Sequence, residues 1–259
     1  MNVLIIDFGV VGKNLYKELS VLDPDCIDKY KHNAPAHPDS QKLYDIAFIC
    51  VDTPFTSENP CDRTEVYNAI EENKKYLKPN GVFDIKSTVL PGTTDFINKN
   101  YGVNAIFSPE YYGGTQHCNN YTFDFTILGG EKEQCKKVVQ ALQKVYDGRH
   151  SFRIVDSRTA ELVKYMENAW LATKVSFCSQ FAEIAEQEGV NYEELRELFI
   201  LDPRVNPSHT FIYDEHPYWE SHCLDKDVPA IALEEDAWFL NAVCRYNEYR
   251  KKKISKEDM

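Results

Sequence analysis

In the second half of this chain a thiol, an ammonium and an amide fall at spacings that suit carbonyl chemistry. Cys223 follows His222 and precedes Lys226 within the run His-Cys-Leu-Asp-Lys-Asp at 222–227. Cations beside a thiol favour the thiolate, which is the nucleophilic form. Lys164 and Asn168 are four residues apart, so on a helix they share one face. A lysine there can steady a developing oxyanion or pass a proton, and an asparagine amide can donate to the same oxygen. The plainer alternatives are a structural cysteine among eight, a solvated lysine and a surface asparagine. Nearby Met166, Leu171 and Ala172 favour burial of the Lys164–Asn168 pair. His209, His216 and His222 read as structural, because no carboxylate or histidine spacing supports a metal site.

The N-terminus carries a second kind of chemistry. Residues 2–6 are apolar and lead into Asp7-Phe8-Gly9-Val10-Val11-Gly12. A strand, a tight turn and a helix bind dinucleotides because the helix N-terminus offers unbonded N–H groups and a partial positive charge to the pyrophosphate. Gly9 and Gly12 match the second and third glycines of the G-x-G-x-x-G fingerprint, and Asp7 stands where the first would be. Aspartate tolerates left-handed backbone angles better than most residues, but its charge repels an anionic ligand. The alternative is that both glycines serve only close strand–helix packing. Asp28 falls 21 positions after Asp7, where an acidic residue binds the adenosine ribose; Asp23 and Asp25 are rivals. A carboxylate there repels a 2′-phosphate, so NAD is expected rather than NADP.

Around these residues the chain alternates short apolar runs with amphipathic stretches. Strands are expected over residues 2–6, 26–28, 46–51, 81–86, 104–107, 126–129 and 153–155. Helices are expected over 12–22, 64–77, 93–99 and 132–146, and a proline-bearing loop over 32–40. That alternation predicts an α/β fold: a doubly wound parallel sheet over residues 1–155. The pattern then changes to helices over 159–189, 191–199 and 230–250, with a loop over 202–226, which predicts a smaller all-helical domain over 156–259. The length of 259 residues and the 43% hydrophobic content allow two modest cores. A formal charge of −12 argues against nucleic acid or an anionic membrane as the main partner. Eight cysteines without a C-x-x-C pair, no signal-like N-terminus and no long apolar run lead to the expectation of a reduced, cytoplasmic protein.

Six motifs occur in order: FICVDTP at 48–54, IKSTVLPGTT at 85–94, SPEYYGG at 108–114, ELVKYMENAWLATKVSF at 161–177, DPR at 202–204 and HCLDKD at 222–227. In that order they resemble the UDP-glucose/GDP-mannose dehydrogenase family, in a short form lacking the C-terminal UDP-binding domain. The resemblance implies a Rossmann-like NAD-binding domain and NAD-dependent oxidation of a nucleotide-sugar alcohol to a carboxylate, with two NAD per turnover. It implies Cys223 as the nucleophile, Lys164 and Asn168 on the oxyanion, and Asp227 as the group that orders a water or takes the alcohol proton. Thr88 would help hold that water and touch the cofactor, and Glu110 would serve thioester hydrolysis. Gly9, Val10, Val11, Gly12, Asp28, Val51, Thr53 and Pro54 would line the cofactor. Glu110, Tyr111, Tyr112 and Arg204 would reach substrate, Arg204 across a homodimer interface built on the long helix from residue 159.

The chain departs from the family at Asp7, at Glu220-Ser221 where Gly-Gly is usual, and at Gly114 where a second glutamate is usual. Two other functions fit the same layout. One is a two-electron β-hydroxyacid dehydrogenase, which shares the K-x-x-x-N helix and needs no thiol. The other is a non-catalytic binding protein derived from the family.

Overall fold

The computed structural model describes residues 1–29, 41–112 and 123–257, with side chains through residue 255. The loop expected over 32–40, together with Cys118 and Gly114, lies outside the described residues. The chain forms two compact units, residues 1–54 with 61–164, and residues 55–60 with 165–259.

The first unit is a seven-stranded sheet: β1 (Val3–Ile6), β2 (Asp25–Ile27), β3 (Tyr44–Ile49), β4 (Leu77–Ile85), β5 (Ala105–Phe107), β6 (Phe125–Gly129) and β7 (Ser151–Val155). Their order is β2-β1-β3-β4-β5-β6-β7. The first five run parallel. β6 meets β5 antiparallel through the pair Phe107–Gly129, and β7 runs parallel to β6. The sheet is therefore mostly parallel rather than wholly so. Successive strand residues face opposite sides, and both sides are apolar. Val3, Ile5, Phe48 and Ile106 pack with Leu15 and Leu19 on one side and, through Cys135 and Val138, with α4 (Lys132–Leu142). Leu15 belongs to α1 (Val10–Glu18). On the other side Leu4, Ile6, Ile49 and Phe83 meet Val66 and Ile70 of α2 (Thr64–Asn73) and Ile97 of α3 (Thr93–Tyr101). This is the α/β, doubly wound, Rossmann-like layout expected of the first domain.

Several boundaries differ from the sequence reading: the helix expected over 12–22 is α1 at Val10–Glu18, and the one expected over 132–146 ends at Leu142. The helix expected over 64–77 ends at Asn73, and Leu77 already opens β4. Tyr44 pairs with Leu77 but Ile46 pairs with Val82, so the Lys78-Pro79-Asn80-Gly81 run is an irregularity inside the strand rather than a helix stop. Proline cannot donate to the ladder, and a bulge is where a strand tolerates it.

The second unit is helical. α5 (Ser157–Gln187) begins in the first unit and continues through the second. α6 (Tyr192–Phe199) is capped by the Asn191 side chain, which accepts from the Glu194 N–H at 2.9 Å. α7 (Leu224–Glu234) and α8 (Trp238–Glu257) complete it. The single helix expected over 230–250 is thus two helices, and the loop expected over 202–226 gives way to helix after Cys223. The break falls at Asp236, whose φ is +45°, while Ala237 N–H donates to Ala232 O at 2.9 Å. A left-handed residue at a helix end is usually glycine, and aspartate hides the stop.

The buried face of α5 is mostly small or polar, carrying Glu161, Lys164, Asn168, Ala172, Ser176 and Ser179, with Tyr165 as its large buried side chain. Several of its large apolar residues lie outside: Met166 is 75%, Trp170 60% and Phe177 51% exposed. Among the described residues no helix is long and apolar enough to cross a membrane.

Candidate active site

β1 has β2 on one side and β3 on the other, so the chain reverses its winding direction there. A crevice forms at such a switch point, outside the carboxyl ends of the strands. The motifs of the first unit all follow carboxyl ends: residues 7–12 after β1, Asp28 after β2, Val51–Pro54 after β3, Ser87–Thr88 after β4 and Ser108–Tyr112 after β5.

The first turn keeps its shape with an aspartate in the glycine position. Asp7 adopts φ +77°, a left-handed backbone. Its N–H donates to Ile27 O at 2.8 Å, and its carboxylate Oδ2 accepts from the Gly9 N–H at 3.0 Å. Gly9 is the N-cap of α1. The carboxylate is therefore aimed at an amide of the helix N-terminus, the group that binds anions. Gly12 has no freedom of substitution, because a Cβ there would lie 2.0 Å from the Asp7 carbonyl oxygen. Val10 is exposed at the helix start and Val11 is half-buried. Asp28 is buried directly after β2. Its rivals are placed elsewhere: Asp25 accepts from Tyr44 Oη at 2.6 Å and pairs with Lys42 at 2.5 Å, and Asp23 sits in a left-handed turn at φ +48°.

The loops after β3 and β4 are tied together. Thr53 Oγ1 donates to Thr88 O at 2.7 Å, and Ser87 Oγ donates to Val51 O at 2.6 Å. Both threonines are buried. Beneath them lies a charged group that sequence reasoning missed. Lys86 Nζ donates to Ser108 Oγ at 2.5 Å, and Ser108 Oγ donates to Asp84 Oδ1 at 2.6 Å. Burial pushes the Asp84 carboxyl up to about 6, against the pull of Lys86 and the Ser108 hydroxyl. The signal was an aspartate inside the apolar run GVFDIK. Glu161 was missed as well. It is fully buried, accepts from Gly92 N–H at 2.6 Å and from Thr94 N–H at 2.8 Å, and so caps the start of α3 from α5. Burial raises its carboxyl despite those bonds.

After β5, Glu110 accepts from the Tyr112 N–H at 2.6 Å. The Tyr112 and Tyr146 hydroxyls both donate to Glu18 at the end of α1. Lys164, buried, places its ammonium 5.1 Å from the centre of the Tyr111 ring.

The second unit holds the other candidates. Asn168 Nδ2 donates to Asp227 Oδ2 at 2.7 Å, and Lys226 Nζ donates to Asp227 Oδ1 at 2.5 Å. Asn168 and Asp227 are both buried. Cys223 is the N-cap of α7 and half-exposed. The Glu220-Ser221 departure has a local role: Ser221 Oγ accepts from Leu224 N–H at 3.0 Å, and Asp225 Oδ2 accepts from Ser221 N–H at 2.6 Å. These two bonds tie the chain just before the N-cap to the first residues of α7. Arg204 stands apart from this group. It is highly exposed and closes on Asp202 at 2.6 Å, a local surface ion pair. A group that exposed is worth little in stability.

The chain is similar to known proteins in sequence and in fold. Residues 28–148 match the NAD binding domain of the UDP-glucose/GDP-mannose dehydrogenase family, and residues 158–249 match its central domain. A UDP-N-acetyl-D-mannosamine dehydrogenase of Methanocaldococcus jannaschii is 31% identical over 190 residues, 71% of this chain and 43% of the relative. A UDP-glucose 6-dehydrogenase of Rickettsia prowazekii is 27% identical over 80% of this chain and 50% of its own length. The chain thus spans half or less of these relatives. A solved UDP-glucose dehydrogenase from Pyrobaculum islandicum superposes with a TM-score of 0.80 at 22% identity, covering 96% of this chain and 68% of that one. The NAD-domain match begins after the Asp7–Gly12 turn.

That turn generates a prediction. At an effective dielectric near 20, a like charge about 6 Å from a phosphate costs on the order of 2–3 kcal/mol before screening. Calorimetric titration should show NADH binding roughly 30- to 150-fold more tightly to Asp7→Gly than to the parent, with the gap narrowing in high salt. NADPH should bind both more weakly than NADH, because of Asp28. Equal NADH affinities would mean that the Asp7 carboxylate turns away when cofactor binds.

Proposed function

Because the chain belongs to the UDP-glucose/GDP-mannose dehydrogenase family, we propose that it oxidises the primary alcohol of a nucleotide sugar to the carboxylate with NAD. The single observation that carries this reading is the buried Asn168–Asp227 pair, held by the half-buried Lys226, one helical turn beyond Cys223. A carboxylate held by an amide and an ammonium in the first turn of a helix, beside a half-exposed thiol, suits proton transfer and thiol addition together.

The residues of the first unit fit a dinucleotide. Gly12 lets the helix approach the strand, Asp28 stands at the end of β2 for a ribose, and Val51, Thr53, Pro54 and Thr88 edge the crevice. Asp7 weakens the fit without closing it. NAD, when bound, supplies the hydride acceptor for each of two oxidations.

The chain's own residues do the rest. Asp227 takes the proton of the substrate hydroxyl as the carbinol becomes an aldehyde, and Thr88 helps to hold a water. The Cys223 thiolate adds to that aldehyde carbon, and the oxygen becomes an oxyanion steadied by the Lys164 ammonium and the Asn168 amide. Loss of the second hydride leaves a thioester. Water adds to it, assisted by Glu110, and the carboxylate departs as the thiolate returns. Tyr111 and Tyr112 contact the sugar nucleotide.

The protein is read as a cytoplasmic homodimer. The seven described cysteines are thiols, as a reducing compartment keeps them. The dimer is built on the outward apolar residues of α5, Met166, Trp170 and Phe177, a contiguous exposed stripe of the kind that marks an interface. Arg204, whose side chain is exposed, is assigned to a partner's substrate by the family resemblance. Light scattering at micromolar concentration should return twice the chain mass, and a monomer would defeat this part of the reading.

The thiol separates four-electron from two-electron chemistry. Cys223→Ser should lower formation of the sugar acid by on the order of 10³ or more, the range expected when a covalent nucleophile is removed. A variant that keeps most of its NADH production would point instead to a two-electron alcohol dehydrogenase.

A further inference from the structure

Lys164 is 5% exposed, and an ammonium taken so far out of water needs compensation. One source of it is the face of Tyr111, with the Lys164 Nζ 5.1 Å from the ring centre. That lies within the reach of a cation–π attraction, which strengthens as the cation loses solvent. The ring itself packs against two others. Phe123 stacks on it at 5.1 Å with an interplanar angle of 29°, and Phe125 of β6 meets it edge-on at 5.3 Å. Its backbone is held between Glu110, which accepts from the Tyr112 N–H, and Tyr112, whose hydroxyl is bound by Glu18 of α1.

We propose that Tyr111 is a positioning residue for Lys164: the ring, seated on Phe123 and Phe125, holds the ammonium in place and keeps it protonated. This gives Tyr111 a part beyond contact with substrate. It rests on the reading of Lys164 as the cation that steadies the oxyanion. An ammonium on a long flexible stem loses four torsions to hold one direction, and a rigid aromatic face removes that freedom before substrate arrives. The ring also accounts for the aromatic character of residues 123 and 125, which the catalytic steps do not use.

The test reads Lys164 directly and needs no turnover, so it can fail separately from the proposed reaction. The full chain is acetylated with an N-hydroxysuccinimide ester across pH 7 to 10, and modification of Lys164 is followed by peptide mass spectrometry. Lys86, buried in the same unit, reports whether the fold is intact. Tyr111→Leu should acetylate Lys164 about fivefold faster at fixed pH, with the midpoint of its pH curve displaced downward, while Lys86 is unchanged. Tyr111→Phe keeps the ring and should match the parent within about twofold. Tyr111→Trp offers the strongest cation–π face and should slow Lys164 relative to the parent. If Lys86 also becomes reactive in the leucine variant, the tryptophan variant decides: slower Lys164 supports the proposal, and an equal or faster rate overturns it. Identical Lys164 curves in the parent and the leucine variant, or a phenylalanine variant that behaves as leucine does, would overturn it too.

Discussion

The Asp7 carbonyl oxygen occupies the space that a side chain at residue 12 would need, 2.0 Å from the position of a Cβ. This backbone-to-backbone approach sets α1 against the end of β1 at the point where the sheet changes winding direction. The remaining elements of the first unit are registered on β1: β2 and β3 pair with it directly, and β4 and β5 follow outward in order. The approach also explains why the substitution at position 7 is tolerated. Asp7 is constrained through its backbone, by the bond to Ile27 O and by the contact with Gly12, and an aspartate can meet those demands at φ +77°. What it adds is a charge, and that charge is directed at the amide nearest the helix start.

Electrostatics at the carboxyl edge are accordingly dominated by acids. Burial pushes the Cys50 thiol, just after β3, well above its ordinary range, and the charges of Asp7, Asp84 and Glu110 push it the same way, while Lys86 alone opposes them. Cys50 is thus inert as a nucleophile. Cys223 has a different setting: a helix N-terminus, partial exposure and the neighbouring Lys226, with Asp227 taking that lysine's hydrogen bond at 2.5 Å. The contrast between the two thiols is why the proposed function uses Cys223 and not Cys50.

Much of this was legible from residue order. The apolar runs and the glycine-bearing turn specify the sheet, because strands buried on both faces read as continuous hydrophobic segments. The burial of Lys164 and Asn168 was expected, though one residue used to support it misled: Met166 lies outward, and small residues such as Ala169 and Ala172 line the buried side. A helix that presents its large apolar residues to solvent inverts the usual pattern, so periodicity alone points to the wrong face. The α7–α8 break was hidden because Asp236, not glycine, takes the left-handed position. The aspartate inside GVFDIK marks Asp84 as unusual, but its partner Ser108 and the Glu161 cap are not legible in residue order, since those bonds join residues 22 to 69 positions apart. Only the folded sheet brings them together.

If one thiol carries a nucleotide sugar through two successive oxidations, as proposed, the stoichiometry of the reaction records it. Purified protein is incubated with UDP-glucose or UDP-N-acetylmannosamine and excess NAD, and NADH formed is compared with sugar acid formed. Two NADH for every sugar acid, with no accumulated aldehyde, is the expected result. One NADH per sugar consumed, with the aldehyde as the end product, would rule out a second oxidation on the thiol.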